Sequence, residues 1–163
     1  MNAIEMLKDD HQRVLKMLDE ISNTTERAVK TRTDLLSQIE AELKIHTTIE
    51  EEDFYPAYRN AGGKPGQKMY HEAVEEHRAV EALVLPDLLE TDPGTVEFSG
   101  RVKVLKELLE HHIEEEEGEM FPEAKKLFEQ GGTAASRRAD GRQAQSSQGR
   151  PNPLTASPNS GHK

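Results

Sequence analysis

Histidine and glutamate recur at the same spacing in two parts of the chain, and both residue types bind metal ions. His46 and Glu50 are four residues apart, as are His112 and Glu116. In an α-helix this spacing places both side chains of a pair on one face, a turn apart. The chain has no cysteine, so thiolate sites are excluded. Mixed nitrogen and oxygen ligands favour iron, with manganese or zinc as alternatives.

The two pairs belong to an internal repeat. Adding 66 to a residue number in the first half gives its counterpart, so that His11 corresponds to His77. The segments HTTIEEEDFYP (46–56) and HIEEEEGEMFP (112–122) align in this register, and each begins 35 residues after a histidine. Such duplication indicates two similar helical hairpins related by a pseudo-two-fold axis. Further matched pairs are Val14 with Val80, Leu43 with Leu109, Glu51 with Glu117 and Tyr55 with Phe121.

Apolar periodicity places the repeated side chains in the interior. His46 follows Leu43 by three residues and His11 follows Leu7 by four, so each histidine continues the apolar stripe of its predicted helix. Burying carboxylates without partners would cost on the order of several kcal/mol for each ion. A pair of bound cations removes this cost, with carboxylates bridging and imidazoles as terminal ligands. The predicted metal ligands are His11, His46, Glu50, His77, His112 and Glu116.

A buried polar network without metal is the alternative interpretation of this pattern. A single histidine on an apolar stripe is more often a hydrogen-bonded core residue than a ligand, but four histidines in register with two glutamates favour the metal. His111, five residues before Glu116, is the alternative to His112, although the repeat register selects His112.

Three other residues near the pattern have more than one interpretation. Glu81 lies four residues after His77 and is either a further metal ligand or an acceptor for an imidazole N–H. We interpret Tyr55 and Tyr70 as packed aromatic residues rather than ligands.

Helical periodicity and breaker residues predict the elements that carry these side chains. A loop is expected over residues 59–66 (RNAGGKPG), a turn follows at 91–94, and Pro86 should kink the third helix or fray its end. The second helix should bury Leu35, Leu36, Ile39, Leu43 and Ala57. The predicted fold is an all-α, up-down-up-down four-helix bundle over residues 1–130, with helices at about 2–22, 32–58, 67–90 and 96–130.

Composition predicts a disordered tail and excludes several function classes. Residues 131–163 hold Leu154 as their only large aliphatic side chain, too little apolar surface to offset the entropy of ordering. The net charge of −10 argues against nucleic acid and anionic membranes as partners. The N-terminus resembles no signal peptide, and no segment is apolar enough to span a membrane, so a cytoplasmic location is expected.

The arrangement H…HxxxE…H…HxxxE, with Glu51 and Glu117 after the two HxxxE segments, resembles the hemerythrin or HHE cation-binding family over residues 1–130. This resemblance implies two iron ions, one held by His11 and His46 and the other by the remaining two histidines. Glu50 and Glu116, with an oxo or hydroxo group, would bridge them. A ferritin-like centre fits poorly, because the chain has no Glu-x-x-His pair around these histidines.

One position departs from the oxygen-carrying hemerythrins. Those proteins have a fifth histidine one turn before the equivalent of His77, where this chain has Ala73. More open coordination favours redox turnover of O2, peroxide or related species, such as a catalase-like or oxidase activity, over reversible carriage. The alternatives are a module that reversibly binds O2 or NO or senses iron or oxygen without turnover, and a metal-free structural bundle.

Overall fold

The computed structural model describes residues 2–131, and these residues are helical apart from short connections, with no β-strand among them. The predicted all-α class is therefore confirmed. The helices are α1 (Ala3–Ser22), α2 (Val29–Ile49), α3 (Tyr55–Ala79), α4 (Leu85–Leu89) and α5 (Val96–Glu115), and residues 121–131 are also helical. Asn2 caps α1 in a capping box with Glu5, and Thr95 caps α5 by accepting from the Phe98 N–H.

Three π-helical turns interrupt these helices. They cover Glu50–Phe54, Val80–Val84 and Glu116–Met120, so two of them begin at the repeated glutamates. Each turn closes with an i→i+5 hydrogen bond; the Tyr55 N–H, for example, donates to the Glu50 carbonyl. The second turn directly precedes Pro86, which lies in the first turn of α4. The wider turn is thus where the chain accommodates the proline predicted to disturb this helix.

The extra residue in the first π-helical turn rotates the buried face of the helix beyond it. Ala57 was predicted to be buried but is exposed, whereas Tyr55 and Tyr58 are fully buried. The prediction was wrong because it continued a period of 3.6 residues through a turn that holds more residues.

The loop predicted over residues 59–66 is mostly helical, and that prediction was wrong. Only Gly63 leaves helical geometry within α3, at φ 62° and ψ −153°. This conformation is essentially restricted to glycine. Pro65 follows the break by two residues, where the new helical stretch begins and a missing N–H costs little.

Two apolar clusters lie on either side of the repeated histidines along the helices. The first contains mostly aliphatic side chains such as Leu18, Ile39 and Leu105. The second is aromatic and contains Phe54, Tyr55, Tyr58 and Phe121. Because α1 packs on both α2 and α5, side chains from different parts of the sequence meet between the clusters.

Arg32, on α2, forms hydrogen bonds with two connections between helices, at the end of the aliphatic cluster that is farther from the histidines. Its side chain is only 1% exposed, and all five of its N–H groups are within hydrogen-bond distance of acceptors. The guanidinium also lies 5.1 Å from the centroid of the Phe98 ring. The acceptors are the Thr24 hydroxyl and carbonyl, the Pro93 and Thr95 carbonyls and the Ser99 hydroxyl.

We expect Arg32→Lys to lower the free energy of unfolding by about 2–3 kcal/mol, because an ammonium has three donors where the guanidinium has five. Urea denaturation followed by circular dichroism measures this loss. Arg27→Lys, at an exposed position in the same connection, is the matched control and should be neutral. Equal stability of the two variants would contradict the role given to Arg32.

The remaining predictions concern membrane-spanning segments and the C-terminal tail. No helix among residues 2–131 has the length and apolar character needed to cross a bilayer. The predicted disordered tail, residues 131–163, lies outside the described residues except for Gly131. The first compact unit of the chain ends at Phe128.

Candidate metal centre

All six predicted ligands meet at one buried point. They form two groups, in each of which one ligand atom per residue lies within 4.8 Å of the others. Both groups include Glu50 and Glu116, and the six residues are at most 5% exposed. One group adds His11 and His46, and the other adds His77 and His112.

The distances between these atoms suit ligands of a common ion. The Nε2 atoms of His11 and His46 are 3.0 Å apart, as are those of His77 and His112. Atoms bound at about 2.0–2.2 Å from one ion are necessarily about 3 Å from each other when they subtend roughly a right angle. The donor set therefore fits a pair of metal ions.

The two glutamates also present unsatisfied atoms to this point. Glu50 Oε1 and Glu116 Oε2 are buried and form no hydrogen bond with a described residue. Imidazole nitrogens nevertheless lie close, at 2.6 Å from Glu50 Oε1 (His46) and 3.2 Å from Glu116 Oε2 (His11). Buried oxygens in this state need a partner, and a bound cation supplies one.

A carboxylate faces the outer nitrogen of every site histidine, and these four also follow the repeat. Asp10 and Glu76 are repeat counterparts, as are Glu51 and Glu117. Carboxylates at this position orient a ligating imidazole and raise its basicity. The Nδ1 distances are His46 to Asp10 3.2 Å, His77 to Glu51 3.2 Å, His112 to Glu76 3.5 Å and His11 to Glu117 3.7 Å.

Tyr55 breaks the symmetry of the centre. Its ring packs on His77 as its counterpart Phe121 packs on His11, but only the tyrosine has a hydroxyl. Its single proton can be donated to Glu50 Oε2, at 2.9 Å, or to Glu116 Oε1, and its oxygen lies 3.1 Å from His77 Nε2. Tyr55 is packed among other rings, as interpreted from the sequence, and its polar atom also reaches the candidate ligands.

The side of the centre away from the aromatic cluster opens into a small apolar cavity. The four histidines line it together with Val14, Leu43, Val80, Leu109 and Ile113. Its volume of about 20 Å³ holds roughly one water-sized molecule. A cavity of this size has no room for a larger organic molecule.

Burial and charge act in opposite directions on the ionisation of the site. Burial lowers the pKa of His11, but Glu116 and Glu50 outweigh it and raise this pKa to about 9. The pKa of His112 is likewise raised above its ordinary value, against burial, mainly by Glu116. Burial raises the pKa of Glu50, yet the surrounding histidines hold it well below its usual range. In the metal-free protein the glutamates thus favour the protonated forms of His11 and His112.

These shifts predict opposite pH dependences for stability and for metal affinity. The folded-state pKa of His11, about 9, exceeds its ordinary value of 6.5, so its contribution to the stability of the metal-free protein is complete below pH 6.5 and is lost as the pH rises to about 9. A bound metal displaces these protons, so metal affinity should increase over the same range.

Urea denaturation of the metal-free protein at pH 6.5 and pH 9 measures the first effect. Calorimetric metal titrations in buffers of different ionisation enthalpy measure the proton release. A metal-free protein that is more stable at pH 9, or a metal titration without proton release, would contradict this description of the site.

The remaining sequence-predicted candidates lie outside the two groups. The Glu81 side chain is exposed, and its Oε1 accepts from the Thr47 hydroxyl at 2.6 Å, although the residue lines the cavity. His111 is exposed and pairs with Glu115, whereas His112 is buried in the centre, in agreement with the repeat register. Tyr70 is half-buried and packs edge-on against Tyr55.

Sequence reasoning missed Asp10 and Glu76 as parts of the site and did not predict that the Tyr55 hydroxyl reaches the candidate ligands. In a regular α-helix Tyr55 would be about 140° around the axis from Glu50, and only the π-helical turn brings it above that residue. The repeat could have identified the other two, because each directly precedes a candidate histidine and the two are 66 residues apart.

Comparison with known proteins agrees with this geometry. Residues 2–124 match the model of the hemerythrin HHE cation-binding domain family. A protein described as a DNA nickase from Nostoc sp. (strain PCC 7120 / SAG 25.82 / UTEX 2576) is 27% identical over 122 residues, which are 74% of this chain and 33% of that protein. The chain thus spans about a third of the length of this relative. No solved structure matched the chain. From the family match over most of its length, the chain belongs to the hemerythrin HHE cation-binding domain family.

Proposed function

We propose that this protein holds two iron ions and uses them to process O2, peroxide or a related reactive species. The observation that carries the proposal is the pair of buried ligand groups that share Glu50 and Glu116. Two shared carboxylates bring two cations close together, and four imidazoles complete a nitrogen and oxygen donor set suited to iron. When bound, the irons would supply redox equivalents to a small ligand.

The chain's own residues fit this chemistry in three ways. Ala73, in place of the fifth histidine of the oxygen carriers, is buried in the same cluster as Tyr55, so a hydroxyl rather than an imidazole approaches this half of the centre. The apolar cavity on the other side admits only small ligands and excludes bulk water from the histidines. Glu76 and Asp10, beside imidazole Nδ1 atoms, can hold the rings of two candidate ligands in place.

We also propose the domain organisation that the sequence predicts. The helical stretches before and after Gly63, with α1 and α5, would form an up-down-up-down four-helix bundle over residues 1–130. We do not propose nuclease activity from the name of the Nostoc relative, because two thirds of that protein have no counterpart in this chain. The net charge of −10 supports a protein without nucleic-acid or membrane partners.

Consumption of hydrogen peroxide by the iron-loaded protein tests the proposed reaction. We expect turnover above that of an equal concentration of free iron, with loss of activity in His46→Ala and retention in His71→Ala, whose histidine is exposed. An oxygen electrode distinguishes O2 release from peroxide reduction.

Reversible binding is the alternative that the small cavity also supports. A stable adduct with O2 or NO that disappears on degassing, without consumption of peroxide, would favour a binding or sensing module. That result would contradict turnover.

A further inference from the structure

A groove at the surface adjoins the small cavity beside the histidines. It lies between α2 and the π-helical turn Val80–Val84, and its volume is about 360 Å³. The groove and the cavity share three lining residues, which are Leu43, Thr47 and Glu81. These three side chains therefore form the wall that separates the cavity from the groove.

One hydrogen bond spans this wall. The Thr47 hydroxyl donates to Glu81 Oε1 at 2.6 Å. Thr47 is only 6% exposed, whereas Glu81 is exposed, so the bond joins the buried side of the wall to its outer side. The bond also connects α2 with the π-helical turn, which are the two elements on either side of the groove.

This bond can break without leaving a buried polar group unsatisfied. The Thr47 hydroxyl has one proton, and the Leu43 carbonyl, at 2.8 Å, is a second acceptor for it. The exposed carboxylate of Glu81 can be hydrated instead. Because one hydrogen bond replaces another, the Glu81 side chain can turn into solvent at a small cost in free energy. This movement would connect the groove with the cavity.

The internal repeat shows that this polar pair is specific to one half of the chain. The counterparts of Thr47 and Glu81 are Ile113 and Leu15, which are both apolar and form no side-chain hydrogen bond. The π-helical turn that carries Glu81 is also unmatched, because the corresponding residues 14–18 lie within the regular helix α1. A closure that can open by exchanging hydrogen bonds thus occurs at only one of these two equivalent places.

The charges along the groove favour neutral molecules over anions. Glu40, Glu51 and Glu81 line it, and Lys44 is the one cationic residue among the described residues that do so. An excess of carboxylates repels anions but has little effect on uncharged molecules. Dioxygen, nitric oxide and hydrogen peroxide are neutral at physiological pH, whereas superoxide is an anion.

We propose that Thr47 and Glu81 form a gate through which small neutral molecules pass from the groove to the buried centre. The gate sets how fast a ligand enters and leaves, and neither residue binds the ligand itself. The proposal rests on the proposed function, since it requires a centre that takes up such a ligand.

The rates at which NO binds to and leaves the full-length protein loaded with ferrous iron test the gate. The double variant Thr47→Ile with Glu81→Leu copies the residues of the other half and should slow both rates at least about tenfold. The affinity for NO and the absorption spectrum of the adduct should not change, because closing a gate lowers both rate constants by the same factor. Stopped-flow absorbance measures the rates.

Single variants test the same hydrogen bond from its exposed side. Glu81→Ala removes the acceptor and should raise both rates, and its exposed position should let it fold even where the double variant does not. Glu81→Gln keeps an oxygen that accepts from Thr47 and should resemble the wild type. Thr48→Val is the matched control, because this exposed hydroxyl bonds to the Lys44 carbonyl at 2.7 Å, and it should change neither rate.

The outcomes separate the gate from the proposed function. Unchanged rates in the double variant and in Glu81→Ala would overturn the gate and leave the proposed function standing. A changed affinity or spectrum in Glu81→Gln would identify Glu81 as a ligand and would also overturn the gate. An iron-loaded protein that takes up no NO would contradict the open centre of the proposed function, and the gate with it.

Discussion

Replacing Glu50 with alanine should reduce the metal content from two ions to fewer than one per chain. Glu50 is fully buried and belongs to both ligand groups. One of its oxygens lies 2.6 Å from His46 Nε2 and the other 2.9 Å from His77 Nε2. Among the described residues only Glu116 is shared in the same way, so loss of Glu50 removes a candidate ligand from both groups at once.

The same substitution should destabilise the metal-free protein at neutral pH by about 3 kcal/mol, because it leaves buried imidazolium groups without one of their two counter-charges. Urea denaturation measures this loss, and plasma mass spectrometry measures the metal. Glu52→Ala removes the same charge from an exposed position two residues away and should change neither quantity. Two ions retained in Glu50→Ala would contradict the bridging role.

Tyr55→Phe is expected to weaken metal binding in the half of the centre that contains His77 by about tenfold, or about 1.4 kcal/mol. Burial, followed by the charges of Glu116 and Glu50, raises the pKa of the Tyr55 hydroxyl, so in the metal-free protein it is a neutral donor whose one proton lies between the two carboxylates. A bound cation reverses this effect, since it stabilises a phenolate. We therefore propose that Tyr55, once a cation is bound, would lose its proton and act as a ligand.

A visible absorption band of the ferric protein that Tyr55→Phe abolishes would identify this ligation. Phe121, which packs on His11 in the same way, indicates that a phenylalanine fits the position. Tyr58→Phe is the matched control, because its hydroxyl bonds to Glu123 at 2.8 Å, away from the ligands. Identical spectra and affinities in Tyr55→Phe and the wild type would show that the hydroxyl only orients the glutamates.

The repeat made the buried cluster predictable, because a single chain carried two copies of the same pattern. His112 rather than His111 followed from the register alone, and the structure places them as expected, one buried and one exposed. The all-α class followed from the periodicity of residues such as Leu18, Ile39 and Leu105, which are fully buried.

The π-helical turns were not predictable from periodicity, and the main errors arise there. A turn with an extra residue shifts every later side chain, which exposes Ala57 and brings Tyr55 to the centre. The break at Gly63 was also misjudged, because one glycine in an unusual conformation replaced the whole loop expected over residues 59–66. In both cases, local backbone geometry outweighed the average helical period.

The number of metal ions per chain tests the central claim most directly. Protein purified from iron-replete cells without chelators should contain two irons per chain by plasma mass spectrometry, and His11→Ala with His77→Ala should contain none. A wild-type protein that is empty, and whose urea denaturation midpoint does not change when ferrous iron is added, would contradict the account.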